Sequence, residues 1–369
     1  MPTIFSNAPL GNNPYQRMIY SSFTDYDVRV VRLNAFYRDG LPPMQAGDIY
    51  WIHWETVEFG SRNDIPAEER FAKIEAGLAS LRDKGVKIIW TVHNFHPHNS
   101  GRDMDAIHKG RAVLVRQADK IHLHTPHAVT LMAQTYRIPQ HMILRVAHPS
   151  YLGVYEPAEN TLARRDTLPP AEHRRFVHIG KVQENRGGQF MWQALKALNI
   201  REQAWELEIA GAVIAGERRG QQPIRAMPNV RFHDRYLPDE ELRDILAHSH
   251  VCVAPFSRIL TSGSVNLALT FGLPVIGPNV EALRDHLPEG THRALYTDGK
   301  VRGMMFQMRK LIDMDTEELL ALRAACMDHA VSIRPEVQSQ ALREAVLQDT
   351  PAAVTQTCSA TEGVKNAEN

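Results

Sequence analysis

The run Val177-His178-Ile179-Gly180-Lys181-Val182-Gln183-Glu184-Asn185-Arg186-Gly187-Gly188 holds the parts of an anion site. A short apolar run enters a glycine turn, the cations Lys181 and Arg186 follow, and the pair Gly187-Gly188 opens a helical pattern. Glycine lets a backbone come close to an anion. Two fixed cations and the N–H groups of a helix start would neutralise a diphosphate and stabilise it as it leaves. An ordinary surface turn would spell much the same way. A second piece lies between Pro255 and Pro274, where Thr261, Ser262, Gly263 and Ser264 follow a strand-like run and precede an apolar helix. Hydroxyls and N–H groups gathered at one helix start cradle an anion without a metal. The plainer reading of that segment is an N-cap by Ser262 or Ser264.

Both pieces need a strand behind them and a helix in front. Short apolar runs alternate with amphipathic helical stretches along the chain, which predicts parallel α/β sheets. In the first half, strands are expected at 49–52, 86–92, 120–124 and 143–147, with helices over 67–84, 105–118 and 128–136. The polar stretch from Glu156 to Arg175, with Pro169-Pro170 inside it, reads as a linker. The rhythm then restarts, with strands at 176–179, 205–210, 230–233, 251–254 and 274–277. Helices are expected over 188–198, over 239–247 with Asp239 as N-cap, over 265–271, and from 316 to 348. The expected division is a first Rossmann-like domain over 1–160, a linker over 161–175, a second domain with closing helices over 176–350, and a disordered tail over 351–369. Open α/β sheets bind ligands beyond the carboxyl ends of their strands, and every candidate residue named here falls just after a predicted strand.

Composition narrows the classes. The 369 residues are 43% hydrophobic and 23% charged, enough for two real cores. Lys plus Arg number 42 and Asp plus Glu number 42, so the chain lacks the electrostatic footprint of a dedicated nucleic-acid binder. The three cysteines, Cys252, Cys326 and Cys358, are far apart and lack metal-type spacing, which fits a reducing compartment. Residues 1–10 have no signal-peptide pattern, and no run of about 18 apolar residues occurs. The expectation is a cytoplasmic protein that at most lies on the inner face of a membrane.

The two anion pieces together resemble the donor half of bacterial GT-B glycosyltransferases. That family often shows Gly-Arg after the first strand and Lys-Gly about five residues on; here Gly180-Lys181 and Arg186-Gly187 stand there with the cations exchanged. The later order, Val-Arg-Phe, then Leu-Pro-Asp-Glu-Glu-Leu, Val-Ala-Pro-Phe and Gly-Leu-Pro-Val-Ile, fits as well and carries the resemblance across residues 176–280. The resemblance implies a nucleotide-sugar donor whose diphosphate meets Gly180, Lys181, Arg186, Gly187, Ser262, Gly263 and Ser264. Many retaining members carry two glutamates eight positions apart in this region, where this chain has Ile259 and Leu267. That departure is similar to exopolysaccharide transferases of the xanthan β-mannosyltransferase type. It implies an inverting reaction and favours GDP-mannose, with UDP-glucose and UDP-glucuronate open as donors; the cations and helix ends make a divalent ion unnecessary.

The same subgroup carries Asn-Pro-Tyr near its start, His-Trp after a strand, and Thr-x-His-Asn-x-x-Pro-His. Here these are Asn13-Pro14-Tyr15, His53-Trp54 and the run from Thr91 to His98. An attacking hydroxyl needs a base within reach. His93 and Glu55 are the two candidates: histidine titrates in the useful range unaided, whereas Glu55 would need help from its surroundings. Asn13, Tyr15, His53, Trp54 and Asn94 are expected to line the acceptor side, with Tyr15 and Trp54 able to stack on sugar faces. The acceptor implied is a saccharide or a polyprenyl-linked saccharide. The clusters His93, His96, His98 and His122, His124, His127 invite a metal reading, but no nearby cysteine completes a usual site, and no metal is expected. The rival readings are a retaining transferase of the same fold, a non-catalytic subunit that binds glycan or nucleotide sugar, and a nicotinamide dehydrogenase. The last ranks low because no Gly-x-Gly-x-x-Gly follows the first strand.

Overall fold

The computed structural model describes residues 1–348 except 12, 62, 98–101, 183–186, 200–203, 213–222, 257 and 298–299. The tail expected to be disordered over 351–369 therefore lies outside the described residues.

The first half forms β1 (Thr3–Ser6), β2 (Asp27–Val30), β3 (Ile49–Ile52), β4 (Lys87–Thr91), β5 (Lys120–Leu123) and β6 (Ile143–Arg145). They make one parallel sheet in the order β2-β1-β3-β4-β5-β6. The sequences IYWI of β3 and KIIWT of β4 lack polar alternation because helices cover both faces, and β3 is buried throughout. Helices α1 (Tyr15–Ile19), α2 (Glu55–Phe59), α3 (Ala67–Asp83), α4 (Met104–Gln117) and α5 (Pro126–Tyr136) supply that cover. Asp103 caps α4 by accepting from the Ala106 N–H, and Thr125 caps α5 by accepting from that of Ala128.

The second half repeats the plan. Strands β7 (Arg174–Ile179), β8 (Trp205–Ala210), β9 (Val230–His233), β10 (Val251–Val253), β11 (Val275–Pro278) and β12 (Leu295–Tyr296) form a parallel sheet in the order β12-β11-β10-β7-β8-β9. Its helices are α7 (Gly188–Asn199), α8 (Asp239–Ala247), α9 (Gly263–Thr270), α10 (Glu281–Arg284), α11 (Lys300–Ile312), α12 (Thr316–Ser332) and α13 (Pro335–Leu347), while α6 (Ala158–Leu162) lies in the connection between the halves. The two sheets give the expected pair of Rossmann-like lobes, the GT-B architecture.

Several local expectations are corrected. Asp239 is the first residue of α8 rather than its N-cap, which is Pro238. The helical pattern over 316–348 is two helices, broken where Pro335 starts the second. β2 escaped the sequence reading because it is an edge strand, Asp-Val-Arg-Val, with most of its residues exposed. β12 and α11, after Gly277, went unread as well.

The lobes are joined by more than the linker. Leu260, from the loop after β10, is 1% exposed and packs into the core cluster of the first lobe. Burying such a side chain stabilises the closed arrangement by roughly 1.5–3 kcal/mol. His127, at the start of α5, donates its N–H to Asp285 Oδ2 at 2.7 Å, and its Nδ1 lies 3.1 Å from Glu281 of α10. At the chain's far end α13 returns to the first lobe: Ser339 Oγ donates to the Ile19 carbonyl at 2.8 Å and accepts from the Ser22 N–H at 2.8 Å.

Candidate active site

Each sheet has one point where the strand order reverses, and loops leaving neighbouring strands there diverge to open a crevice. In the second lobe that point lies between β7 and β10. The loop after β7 carries Gly180, Lys181 and Gly187, and the loop after β10 runs through Thr261 to Ser264. The two predicted anion pieces thus sit on the switch point. A Cβ added to Gly180 would lie 3.8 Å from Ser264 Oγ, so the pieces face each other. Gly187 has φ +85°, and a Cβ there would come within 2.3 Å of the Pro255 carbonyl oxygen. Only glycine allows that approach.

Ser262 is the N-cap of α9, its Oγ accepting from the Val265 N–H at 3.4 Å. Capping and anion binding are compatible, since one hydroxyl leaves other N–H groups of the first turn open. Thr261 Oγ1 is shielded from solvent and makes no hydrogen bond among the described residues. Lys181 is exposed at the rim. Arg186 lies outside the described residues. Leu267, one of the two positions that the sequence resemblance singled out, is 4% exposed and belongs to the core.

In the first lobe the loops after β1, β3 and β4 bring Tyr15, His53, Trp54 and His93 together. Tyr15 is the hub. Its ring lies 4.8 Å from His93, 5.6 Å from His124, 4.9 Å from His148 and 6.0 Å from both His53 and Trp54, centroid to centroid. Trp54 stacks on His93 at 4.3 Å with 14° between the planes. It does so from a left-handed backbone, φ 45° and ψ 41°, which costs a tryptophan about 1–3 kcal/mol. Strain of that kind persists where the surroundings fix a functional geometry.

Proton positions follow from the partners. A carbonyl only accepts, so His122 Nε2 and His124 Nδ1, at 2.9 and 3.1 Å from the Val146 carbonyl, both carry hydrogens. Burial lowers the pKa of His122 to about 4 and holds that of His124 well below the ordinary range, so both rings are neutral. Their other nitrogens accept: His124 Nε2 from the Tyr15 hydroxyl at 3.1 Å, and His122 Nδ1 from Thr91 Oγ1 at 3.2 Å. Thr91 in turn accepts from Trp51 Nε1 at 2.8 Å. His53 is also kept neutral by burial; it bridges the Tyr20 hydroxyl at 2.7 Å and His93 Nε2 at 3.1 Å.

This geometry corrects three expectations. Tyr15 and His53 are 1% and 0% exposed and spend their polar atoms on His124, Tyr20 and His93, which takes them from the acceptor side; His93, at 4%, is nearly as buried. Glu55 is 1% exposed and ion-paired with the buried Arg111 at 2.8 Å, which commits its carboxylate and removes it as a base. Asn13 is exposed and uses its Oδ1 to accept the Tyr15 N–H at 3.0 Å, a local turn at the start of α1. Trp54 and Asn94 are half-buried and so keep the exposure that an acceptor contact needs. No group of three or more His, Cys, Asp or Glu able to hold a metal occurs among the described residues. His122 and His124, which tempted that reading, are bonded to one carbonyl.

Sequence reasoning missed the residues that join the halves. After β6 the chain crosses α9: Asn266 Nδ2 donates to the His148 carbonyl at 3.0 Å, and Thr270 Oγ1 accepts the Tyr151 N–H at 3.0 Å. Tyr151 and His148 thereby reach the start of α9, where a Cβ on Gly263 would be 2.5 Å from the Tyr151 hydroxyl and 3.8 Å from His148 Nε2. The ring cluster of one lobe and the helix start of the other are therefore in contact. His148 and Tyr151 lie just outside the expected strand at 143–147, and nothing in their spacing marked them.

Residues 173–314 match the model of the family Glycosyl transferases group 1. Among solved structures the chain is similar to HepE from Anabaena in complex with UDP and glucose (12% identity over 93% of this chain and 98% of that one, TM-score 0.68). It is also similar to sucrose-phosphate synthase from Thermosynechococcus elongatus (15% identity, 93% and 98%, TM-score 0.63). A third is the UDP-forming α,α-trehalose-phosphate synthase from Burkholderia xenovorans (9% identity, 94% and 100%, TM-score 0.62). No curated protein matches the chain in sequence. The domain matched over residues 173–314 is that of a glycosyltransferase enzyme, and the likeness of the chain to these structures shows the GT-B fold.

Proposed function

We propose that the chain transfers a hexose from a nucleoside-diphosphate sugar, held by the second lobe, to a saccharide hydroxyl presented at Trp54 and Asn94 of the first. The contact of the first-lobe ring cluster with the start of α9, through Tyr151 and His148, carries this reading. That contact supports a reading in which His93 and a diphosphate at the start of α9 face one crevice. His93 takes the acceptor proton as its oxygen attacks the anomeric carbon. Lys181, the Thr261–Ser264 turn and the first N–H groups of α9 stabilise the leaving diphosphate. With Glu55 committed to Arg111, and Leu267 in the core where retaining relatives carry a glutamate, the reaction inverts the anomeric centre. The charge on the leaving group is met by these groups and needs no divalent ion. The sequence resemblance favours GDP-mannose as donor and a polyprenyl-linked saccharide in exopolysaccharide synthesis as acceptor, at the cytoplasmic face of the membrane. UDP in the complex of HepE makes UDP-glucose the donor to test beside it.

The test is thermal stabilisation by GDP, UDP and their sugar conjugates, followed by transfer with EDTA present. A ligand at 100 times its Kd adds about 2.7 kcal/mol to apparent stability. One nucleotide should stabilise the wild type, and less so Lys181→Ala. His93→Gln should keep that stabilisation and lose transfer by about 100- to 10,000-fold. No stabilisation by any nucleotide at millimolar concentration would overturn the reading.

A further inference from the structure

Arg111 lies on α4 and is 0% exposed. Its Nε and Nη2 are both 2.8 Å from Glu55 Oε1. Its Nη1 donates to the Phe95 carbonyl at 2.9 Å and faces the Tyr136 hydroxyl at 3.3 Å, while Nη2 also donates to the Asn94 carbonyl. The guanidinium therefore ties two segments together. Glu55 opens α2 directly after Trp54, and Asn94 and Phe95 directly follow His93. The two rings that stack in the crevice, Trp54 and His93, are the chain neighbours of the two segments Arg111 holds.

We infer that Arg111, clamped by Glu55, is a positioning residue that sets the stack of Trp54 on His93 and hence the aim of the base. This rests on the role given to His93 above. A fold-stabilising pair would need only the charge contact. Here a planar, five-donor fork meets a carboxylate, two successive carbonyls and a hydroxyl at once, a pattern that a lysine cannot reproduce. The strained backbone of Trp54 is the other half of the device: Glu55, one residue on, is ion-paired with Arg111 of α4. Without the clamp, the left-handed residue can relax and the ring can leave His93.

The test separates positioning from folding. Either single charge deletion leaves its partner buried and unpaired, which destabilises strongly whatever the role. The informative protein is the double variant E55Q/R111M, which removes both charges at nearly constant volume. Two readouts apply: melting temperature, and the pH-dependent quenching of Trp54 by His93, isolated as the fluorescence difference from W54F. The expected result is a cooperative melt at a lower temperature, because the Asn94 and Phe95 carbonyls lose their donor, with a lost or shifted quenching step, kcat lower by about 100-fold, and unchanged nucleotide binding. Arg111→Lys should fold and show the same loss. If the double variant keeps the wild-type quenching step and kcat, the pair is structural and the inference is overturned. The quenching step needs no transfer, so it still reads the stack if no donor turns over, and that failure would fall on the proposed function alone.

Discussion

The two walls of the crevice are built from different materials. The second-lobe wall is made of backbone: Gly180, Gly187 and Gly263 let main chain and a helix start come close, and Ser262 caps that helix. The first-lobe wall is made of side chains: Tyr15, His53, His93, His122 and His124 are buried, with Tyr15 bonded to His124, His53 to His93, and His122 and His124 to one carbonyl. A backbone site tolerates almost any residue except at its glycines, where a single carbon is too much. Around His93, the buried His53, His122 and His124 are held neutral, so charge on those supporting rings is costly.

The largest effect expected from this contrast is at Gly187. Alanine there adds a left-handed penalty of about 1–2 kcal/mol, and its Cβ would meet the Pro255 carbonyl oxygen at 2.3 Å. The loop after β7 must then move off β10, taking the cradle apart. Nucleotide affinity should fall by about 10- to 100-fold, the worth of one charge-assisted hydrogen bond. Isothermal titration with the nucleotide that stabilises the wild type reads this directly. Wild-type affinity would show that the cradle is not at the switch point.

The ring wall should fail with acid instead. His122 and His148 are lowered to about 4 by burial, and His53 and His124 are lowered as well. An unfolded histidine titrates near 6.5. Below that pH the unfolded chain binds protons that these rings refuse, so stability is full above about 6.5 and falls as pH drops toward 4. Each such ring contributes roughly 1–2 kcal/mol of loss by pH 5. Urea midpoints measured from pH 7.5 to 5 should decline, and His122→Asn should flatten the slope. A flat profile would mean that the cluster takes up protons without cost.

The same contrast explains what could be read before the fold was seen. The glycine and serine signals were legible because backbone geometry restricts residue type locally: Gly187 marks a close backbone approach and Ser262 an N-cap at their own positions. The parallel sheets were legible because doubly covered strands such as β3 and β4 have no polar alternation. The ring wall was half legible. His93, His53 and Tyr15 stood out by type, but exposure and partners decide role, and these depend on residues far along the chain. Glu55 looked like a base because nothing nearby in sequence announces Arg111, 56 residues on. His148 and Tyr151 were silent for the same reason, since their meaning comes from Asn266 and Thr270 more than a hundred positions later.

The smallest effect concerns what holds the two walls together, and it sharpens the comparison because polar and apolar links can be cut separately. His127 and Glu281 are 28% and 69% exposed at the side chain, so water and salt compete for their contact. Exposed pairs of this kind contribute little, and Glu281→Gln should change kcat/KM by no more than about two-fold. Leu260 is different: it is 1% exposed and seated in the opposite lobe's core. Leu260→Ala removes apolar contact and leaves a cavity, which costs about 2–5 kcal/mol when the site cannot collapse. Part of that cost falls on closure, so KM should rise well beyond the change in the Glu281 variant. If Glu281→Gln has the larger effect, the lobes are held by charge at the crevice rim and not by the inserted leucine.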